Sequence, residues 1–325
     1  MALRKEHISV PHFLPHYDTP RPFRWEDIFQ NRNPVVVEIG SGLGEFLTNI
    51  AAGNPDLNFI GIERDWNRVK KTLKRITAAG KQTGHALPNV KVMKVDAVVA
   101  FDRLFPPESI KEIFSLFPCP WPKKSHIKHR LFKHDFFRLL NSRLRREGTL
   151  RIVTDYRPFF EWMQEELRGD TGFVFTKQTI APQFNTKFEK KWIEEGHKHF
   201  HELRLTKQRH CPVGVKEDVE LQIHFIEEFD PRAFHFEKIT GDITLVLKDF
   251  LYDPDRQKAA VYLVAAEKNI TQHVWISITR FNNRWCVAKT EGHAVLPTKG
   301  VARAIAEVAA AARRSAEKTI PAKRL

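Results

Sequence analysis

Cysteine is scarce in this sequence. Three occur in 325 residues, Cys119, Cys211 and Cys286, far apart and without a C-x-x-C pair. That spacing speaks against a disulfide framework or a zinc ribbon. Long apolar runs are missing too: nothing approaches the roughly 20 residues needed to cross a bilayer. The opening stretch, "MALRKEHISVPHFLPHYDTP", lacks the apolar core of a secretory signal. A cytoplasmic protein with no membrane partner is therefore expected. Internal repeats and low-complexity tracts are absent as well.

Acidic residues are in short supply, 39 against 53 Lys and Arg, which leaves a formal net charge of +14. The deficit is uneven. Residues 1–214 carry 36 Lys and Arg against 24 acids, whereas residues 215–325 carry 17 against 15. Between 123 and 146 there are nine Lys or Arg and one acid, Asp135, with three histidines besides. A cationic patch confined to one stretch is the footprint of a polyanion site, usually nucleic acid. A solvated helix face is the plainer explanation of such a run.

What is present follows a readable order. Pro11, Pro15, Pro20 and Pro22 mark residues 1–33 as an irregular arm, with a short helix expected over Phe23–Phe29. From Pro34 apolar strands alternate with helices. "VVVEIG", "NFIGIE", "VKVMKV", "IKEIFSLF" and "TLRIVTD" read as five buried strands. "EFLTNIAAG" and "DWNRVKKTLKRITAAG" read as helices, the second capped by Asp65 and stopped at Gly80. "HRLFKHDFFRLLNSRLRREG" is expected to form one long helix closed by Gly148. This alternation predicts an α/β fold, a parallel sheet with helices on both faces, over 34–213. Residues 214–325 change texture, with alternating patterns typical of antiparallel strands and a final helix near Gly300. They predict a smaller α+β module.

The first strand ends in "EIGSGLGEF", with Glu38 before the turn glycines Gly40, Gly42 and Gly44. Such a turn lets a ligand lie against bare backbone beside a helix N-terminus. Glu63 ends the second strand, where an acid can hold both ribose hydroxyls. Asp96 follows the third, beside the place for an adenine. A dinucleotide fingerprint needs G-x-G-x-x-G, and Gly44 comes one residue early. Glu38 would also repel a pyrophosphate. A ligand with ribose, base and positive charge suits three acids better, and S-adenosylmethionine, with its amine and sulfonium, is that ligand.

Together with "GIERD", "DA" at Asp96–Ala97, "PCPWPKKSHIKHR", "TDY" at Thr154–Tyr156 and "NTKFEKKWIEEGH", this turn resembles the bacterial tRNA (guanine-N7-)-methyltransferases. The resemblance covers about Pro34 to Lys207, and some long members of that family carry a similar C-terminal extension. It implies a Rossmann-like class I methyltransferase sheet and methyl transfer from S-adenosylmethionine to N7 of a guanosine in the variable loop of tRNA. Glu38, Glu63 and Asp96 would then bind the cofactor, with Gly40, Gly42 and Gly44 beneath it. Lys123, Asp155, Thr186, Lys187, Phe188 and Glu189 would engage the target nucleotide. DNA is not an expected partner, and a monomer is favoured.

One position departs from the family. Cys119 stands where the pattern D-P-W has its catalytic aspartate, so the catalytic positions become Cys119 and Asp155. Guanine N7 carries a free lone pair, so no base must act before attack, and catalysis is mostly alignment. A weakened or rearranged enzyme is expected rather than a dead one, with Asp155 or Glu189 taking over. The competing reading is a tRNA-binding protein that has lost the reaction through Cys119. A nicotinamide oxidoreductase is more distant. As a thiol, Cys119 reads as a small buried hydrophobe at a strand end.

The cations beyond the prolines suit phosphate: Lys124, Lys128 and Arg130 are the expected contacts. Lys124 and Lys128 would share one helix flank with His134 and Arg138. Trp121 is expected to pack under its loop. Thr186 and Glu189 also fit an ordinary capping box. His197, His199 and His201 alternate without an acid partner, so no metal is expected.

Overall fold

A computed structural model describes residues 11–17, 19–83 and 87–317; residues 1–10 and 18 of the arm lie outside the described residues. The chain divides into two compact units, Met1–Lys216 and Glu217–Leu325.

The first unit opens with α1 (Trp25–Phe29) and then lays down β1 (Val35–Ile39), α2 (Glu45–Ala52), β2 (Asn58–Glu63), α3 (Trp66–Thr83) and β3 (Val90–Lys94). A helical turn, α4 (Ala97–Val99), runs on as a wide π-turn over Ala100–Leu104 before β4 (Ile110–Leu116). After a 3₁₀ turn (Lys124–His129) come α5 (His134–Arg143), β5 (Leu144–Thr154), α6 (Arg157–Glu166), β6 (Phe173–Ile180), α7 (Lys187–Glu194) and β7 (Phe200–Lys207). The strands form one sheet in the order β3-β2-β1-β4-β5-β7-β6. β1 to β5 are parallel, and β7 runs antiparallel to both its neighbours. This is the doubly wound sheet expected of a class I methyltransferase. Every residue of β1 and β2 is buried, as a strand covered by helices on both faces requires. The strand order reverses between β1 and β4, and ligands of such sheets bind at the carboxyl ends beside that reversal.

Two local expectations fail. α3 continues through Gly80 to Thr83, because its apolar side, with Val69, Leu73 and Ile76 buried, carries the helix past the glycine. The long basic helix is instead three pieces: a 3₁₀ turn, the ten-residue α5, and a strand that starts at Leu144. Leu144 pairs with Ile110, so sheet pairing overrides the helical pattern of "RLRREG". Lys124 and Lys128 therefore do not share a helix with His134 and Arg138. Arg143 is fully buried, and its guanidinium donates to the carbonyls of Phe101 and Val213, each at 2.7 Å.

The second unit is a five-stranded antiparallel sheet, ordered β8 (His224–Ile226), β12 (Arg284–Lys289), β11 (Ile270–Phe281), β10 (Lys258–Glu267), β9 (Ile243–Asp253). One face is covered by α8 (Lys299–Glu317), whose Val301, Ile305 and Val308 join Val261, Leu263 and Ile276 in a core. No helix among the described residues is long and apolar enough to cross a membrane.

Candidate functional site

A cavity of about 310 Å³ opens at the carboxyl end of β1. One wall is the glycine turn with Glu38, Gly40, Ser41, Gly42 and Leu43. The first turn of α2 adds Glu45 and Phe46, and α3 adds Asn67, Arg68 and Lys71. Leu116 at the end of β4 closes another side, and Thr186, Lys187 and Phe188 face the turn.

Backbone geometry explains the turn. Gly44 has φ 72, and a Cβ there would lie 2.3 Å from Thr72 Cγ2, so only glycine lets α2 start against α3. Gly40 has φ 77 with nothing within 4 Å of a would-be Cβ. Its backbone is bare toward the cavity.

Glu38 is buried, and its Oε2 has no hydrogen-bond partner among the described residues. Burial pushes its carboxyl up to about 8; the Leu47 N–H pulls it down, and Glu63 and Glu45 repel its charged form. An unpaired buried carboxylate is unfavourable until a cation arrives. Glu63 and Asp96 stand nearby but are not walls of the cavity. Glu63 braces the turn: its Oε2 accepts the Gly42 N–H at 3.1 Å, and its Oε1 accepts those of Arg64 and Asp65. Asp96 caps α4 through the Val98 N–H and pairs with Arg64 at 3.4 Å.

β4 lies between β1 and β5, so the loop leaving it emerges between the strands of Glu38 and Asp155. Cys119 is exposed on this loop, which corrects its reading as a buried hydrophobe. Trp121 (φ 44) and Phe117 (φ 54) hold left-handed backbone conformations rare for bulky residues. Trp121 is half-buried against His126 and His129, with ring centres 5.6 and 5.4 Å away. Lys123, Lys124 and Lys128 are exposed. Arg130 is buried instead. Its Nε donates to Pro120 O at 2.9 Å, and the guanidinium lies against the rings of Phe159 and Trp162, 5.3 and 5.0 Å from their centres. Arg130 fixes the proline loop from beneath.

Asp155 follows β5 and is half-buried. Burial raises its carboxyl above the usual carboxylate range, opposed by its own backbone N–H, by His197 and by Lys191. Glu189 is turned toward the backbone. Its carboxylate is fully engaged with the loop before α7, accepting the N–H groups of Gln183 at 2.7 Å, Phe184 at 3.1 Å, and Asn185. Thr186 caps the same helix by accepting the Glu189 N–H at 3.1 Å. Thr186 is thus an ordinary N-cap, while Glu189 reaches past it to the preceding N–H groups and shapes the loop that presents Lys187 and Phe188. His201 lies in β7, whereas His197 and His199 precede it. Among the described residues no His, Cys, Asp and Glu group could hold a metal ion.

Glu45, Asn67, Arg68 and Lys71 were not foreseen. On α3 they look like ordinary solvated positions, and Glu45 looks like an acid placed at a helix N-terminus.

Residues 32–202 match the family model described as "Putative methyltransferase". A tRNA (guanine-N(7)-)-methyltransferase of Chlorobium phaeobacteroides is 40% identical over 187 residues, 57% of this chain and 88% of the relative. One from Thermotoga maritima is 33% identical over 181 residues, 55% of this chain and 56% of that one. One from Aquifex aeolicus is 31% identical over 281 residues, 84% of this chain and 92% of the relative, a span that reaches into the second unit. With this sheet, this cavity and these relatives, the chain belongs to the tRNA (guanine-N(7)-)-methyltransferase family.

Proposed function

We propose that this protein transfers a methyl group from S-adenosylmethionine to N7 of a guanosine in the variable loop of tRNA. The observation that carries the reading is the buried, unpaired carboxylate oxygen of Glu38 in the wall of the cavity at the glycine turn. A cationic adenosyl donor fits it, since the donor's positive charge would satisfy the oxygen. When bound, S-adenosylmethionine supplies an activated methyl on a positively charged sulfur.

The chain's own residues do the rest. Glu38 balances positive charge at the floor of the cavity. The bare backbone at Gly40 lets the ligand approach the turn. Glu63 holds the turn in place through the Gly42 N–H, and as the acid ending the second strand it would be the residue to hold the ribose hydroxyls. Guanine N7 needs no deprotonation, so the protein's task is to align the ring and to offset the positive charge it gains. With a thiol at 119, that task falls to Asp155, whose half-buried carboxyl ends the neighbouring strand. Lys124 and Lys128 are exposed cations for phosphate oxygens, which fix position rather than sequence. Folded RNA would be recognised by shape, with one unstacked guanine reaching the pocket. A protein that only bound tRNA would have no use for the cavity and its buried acid.

The test is nucleoside mass spectrometry of tRNA incubated with the protein and methyl donor. 7-Methylguanosine at the variable loop is expected from the wild type, with more from Cys119→Asp. Its absence from both overturns the proposal.

A further inference from the structure

β6 and β7 are antiparallel neighbours joined by an excursion, residues 181–199, that leaves from the Ile180–Phe200 pair. The excursion folds over the cavity as a flap and carries α7. It is anchored unevenly. Phe184 is buried among Leu116, Val153, Ile180 and Phe200. Glu189 ties the N–H groups of Gln183, Phe184 and Asn185 into one rigid block. Beyond that block α7 is held more lightly: Trp192 is partly buried against the same cluster, Glu189 is the helix's one fully buried residue, and Phe188 and Ile193 are 41% and 45% exposed. Asn185, where the chain turns from the anchor into α7, has φ 55.

Across the cavity stands Glu45, at the start of α2. One carboxylate oxygen accepts the backbone N–H of Lys187. The other is held by Arg75 at 3.3 Å, and Arg75 is itself fixed by donating to Leu43 O at 3.0 Å. Glu45 and Lys187 both line the cavity, so this hydrogen bond spans it from the glycine turn to the flap.

We propose that Glu45 is a latch, a positioning residue whose carboxylate pins the flap over the cavity, so that the adenosyl ligand enters and leaves only when the Lys187 N–H is released. The identity of that ligand rests on the function proposed above; the latch itself rests on the contact. Because a backbone N–H is held, the side chain at 187 does not set the closure. Arg75 does, by fixing the carboxylate. The same helix bears Lys191 and leads to His197, both of which act on the charge of Asp155. Opening the flap therefore also loosens the surroundings of the acid assigned to the base.

The latch is tested first without any ligand, by amide hydrogen exchange on the full chain. Removing a hydrogen bond to a charged acceptor is expected to speed exchange at Lys187 about ten- to a hundredfold in Glu45→Ala. Arg75→Gln, which leaves the carboxylate in place, is expected to act in the same direction and less strongly. Exchange in β1 should not change, which separates latch loss from unfolding. Stopped-flow dissociation of S-adenosylhomocysteine should then accelerate in the same order, with a larger effect on the cofactor KM than on kcat. Unchanged exchange at Lys187 in both variants overturns the latch. Faster exchange with unchanged dissociation overturns its role as a gate. If the wild type binds no S-adenosylhomocysteine, the cofactor reading fails, while the exchange result still decides the latch.

Discussion

The guanidinium of Arg130 lies 5.0 Å from the ring centre of Trp162 and, on the same side chain, Nε donates to the carbonyl of Pro120. A cation in a run of cations is thus turned into the protein, where it holds the loop of Cys119 and Lys123. Arg130→Ala should destabilise the fold by about 2 kcal/mol, through a lost charged hydrogen bond and a lost ring contact. Thermal melting measures this. Lys124→Gln and Lys128→Gln should leave melting unchanged and weaken tRNA binding, each lowering the slope of log affinity against log salt by about one. A salt slope that drops for Arg130→Ala without a change in melting would return Arg130 to the phosphate contacts.

Glu38 sets a pH dependence. Its folded-state carboxyl titrates at about 8, well above its unfolded value, so the folded protein holds the extra proton. Its contribution to stability is therefore greatest at low pH, declines as pH rises from the ordinary carboxylate range toward 8, and is flat beyond. A cationic ligand reverses the preference and expels the proton. Binding of S-adenosylmethionine near pH 7 should release close to one proton and tighten as pH rises toward 8. Calorimetry in buffers of different ionisation enthalpy counts that proton, and Glu38→Gln should abolish both the release and most of the affinity.

Much of this was legible because it is local. The β-branched run "VVVEIG" can hardly be anything but a buried strand, and three close glycines announce a turn with positive φ. The four long strands of the second unit were marked by simple alternation. What failed was decided by distant partners. Leu144 begins a strand because Ile110 pairs with it, which no pattern in "RLRREG" reveals. Arg130 and Lys128 are chemically alike in sequence and part company only when Phe159 and Trp162 arrive beneath one of them. Glu189 lies within the motif that pointed to substrate, yet its oxygens are taken by the backbone it follows. Glu45 meets Lys187 across 142 residues, a separation that leaves no local trace.

Gly44 offers a test of the turn's packing. A methyl group there would meet Thr72 Cγ2 at 2.3 Å on a backbone with φ 72, so Gly44→Ala combines overpacking with a strained conformation. A loss of about 2–4 kcal/mol is expected, read from chemical denaturation. Thr72→Ser removes the clashing methyl, so Gly44→Ala combined with Thr72→Ser should recover part of the loss. Equal stability of Gly44→Ala and the wild type would mean that α2 and α3 do not meet as closely as described.

Cys119 and Asp155 divide the catalytic question. Cys119 is exposed, so Cys119→Ala should leave both folding and methyl transfer essentially unchanged. Asp155 is half-buried, with its carboxyl raised by burial and steadied by its own N–H, His197 and Lys191. If its charge offsets that of the methylated guanine, Asp155→Asn should lower kcat by about 10²–10³ with little change in cofactor affinity, the loss seen when one preorganised electrostatic contact is removed. Restoring an acid with Cys119→Asp should raise kcat, and the double variant should recover much of the rate lost in Asp155→Asn, because two acids serving one charge are not additive. Single-turnover methylation with labelled S-adenosylmethionine separates chemistry from release. A full rate in Asp155→Asn and an inactive Cys119→Ala would reverse the assignment and make the thiol the working group.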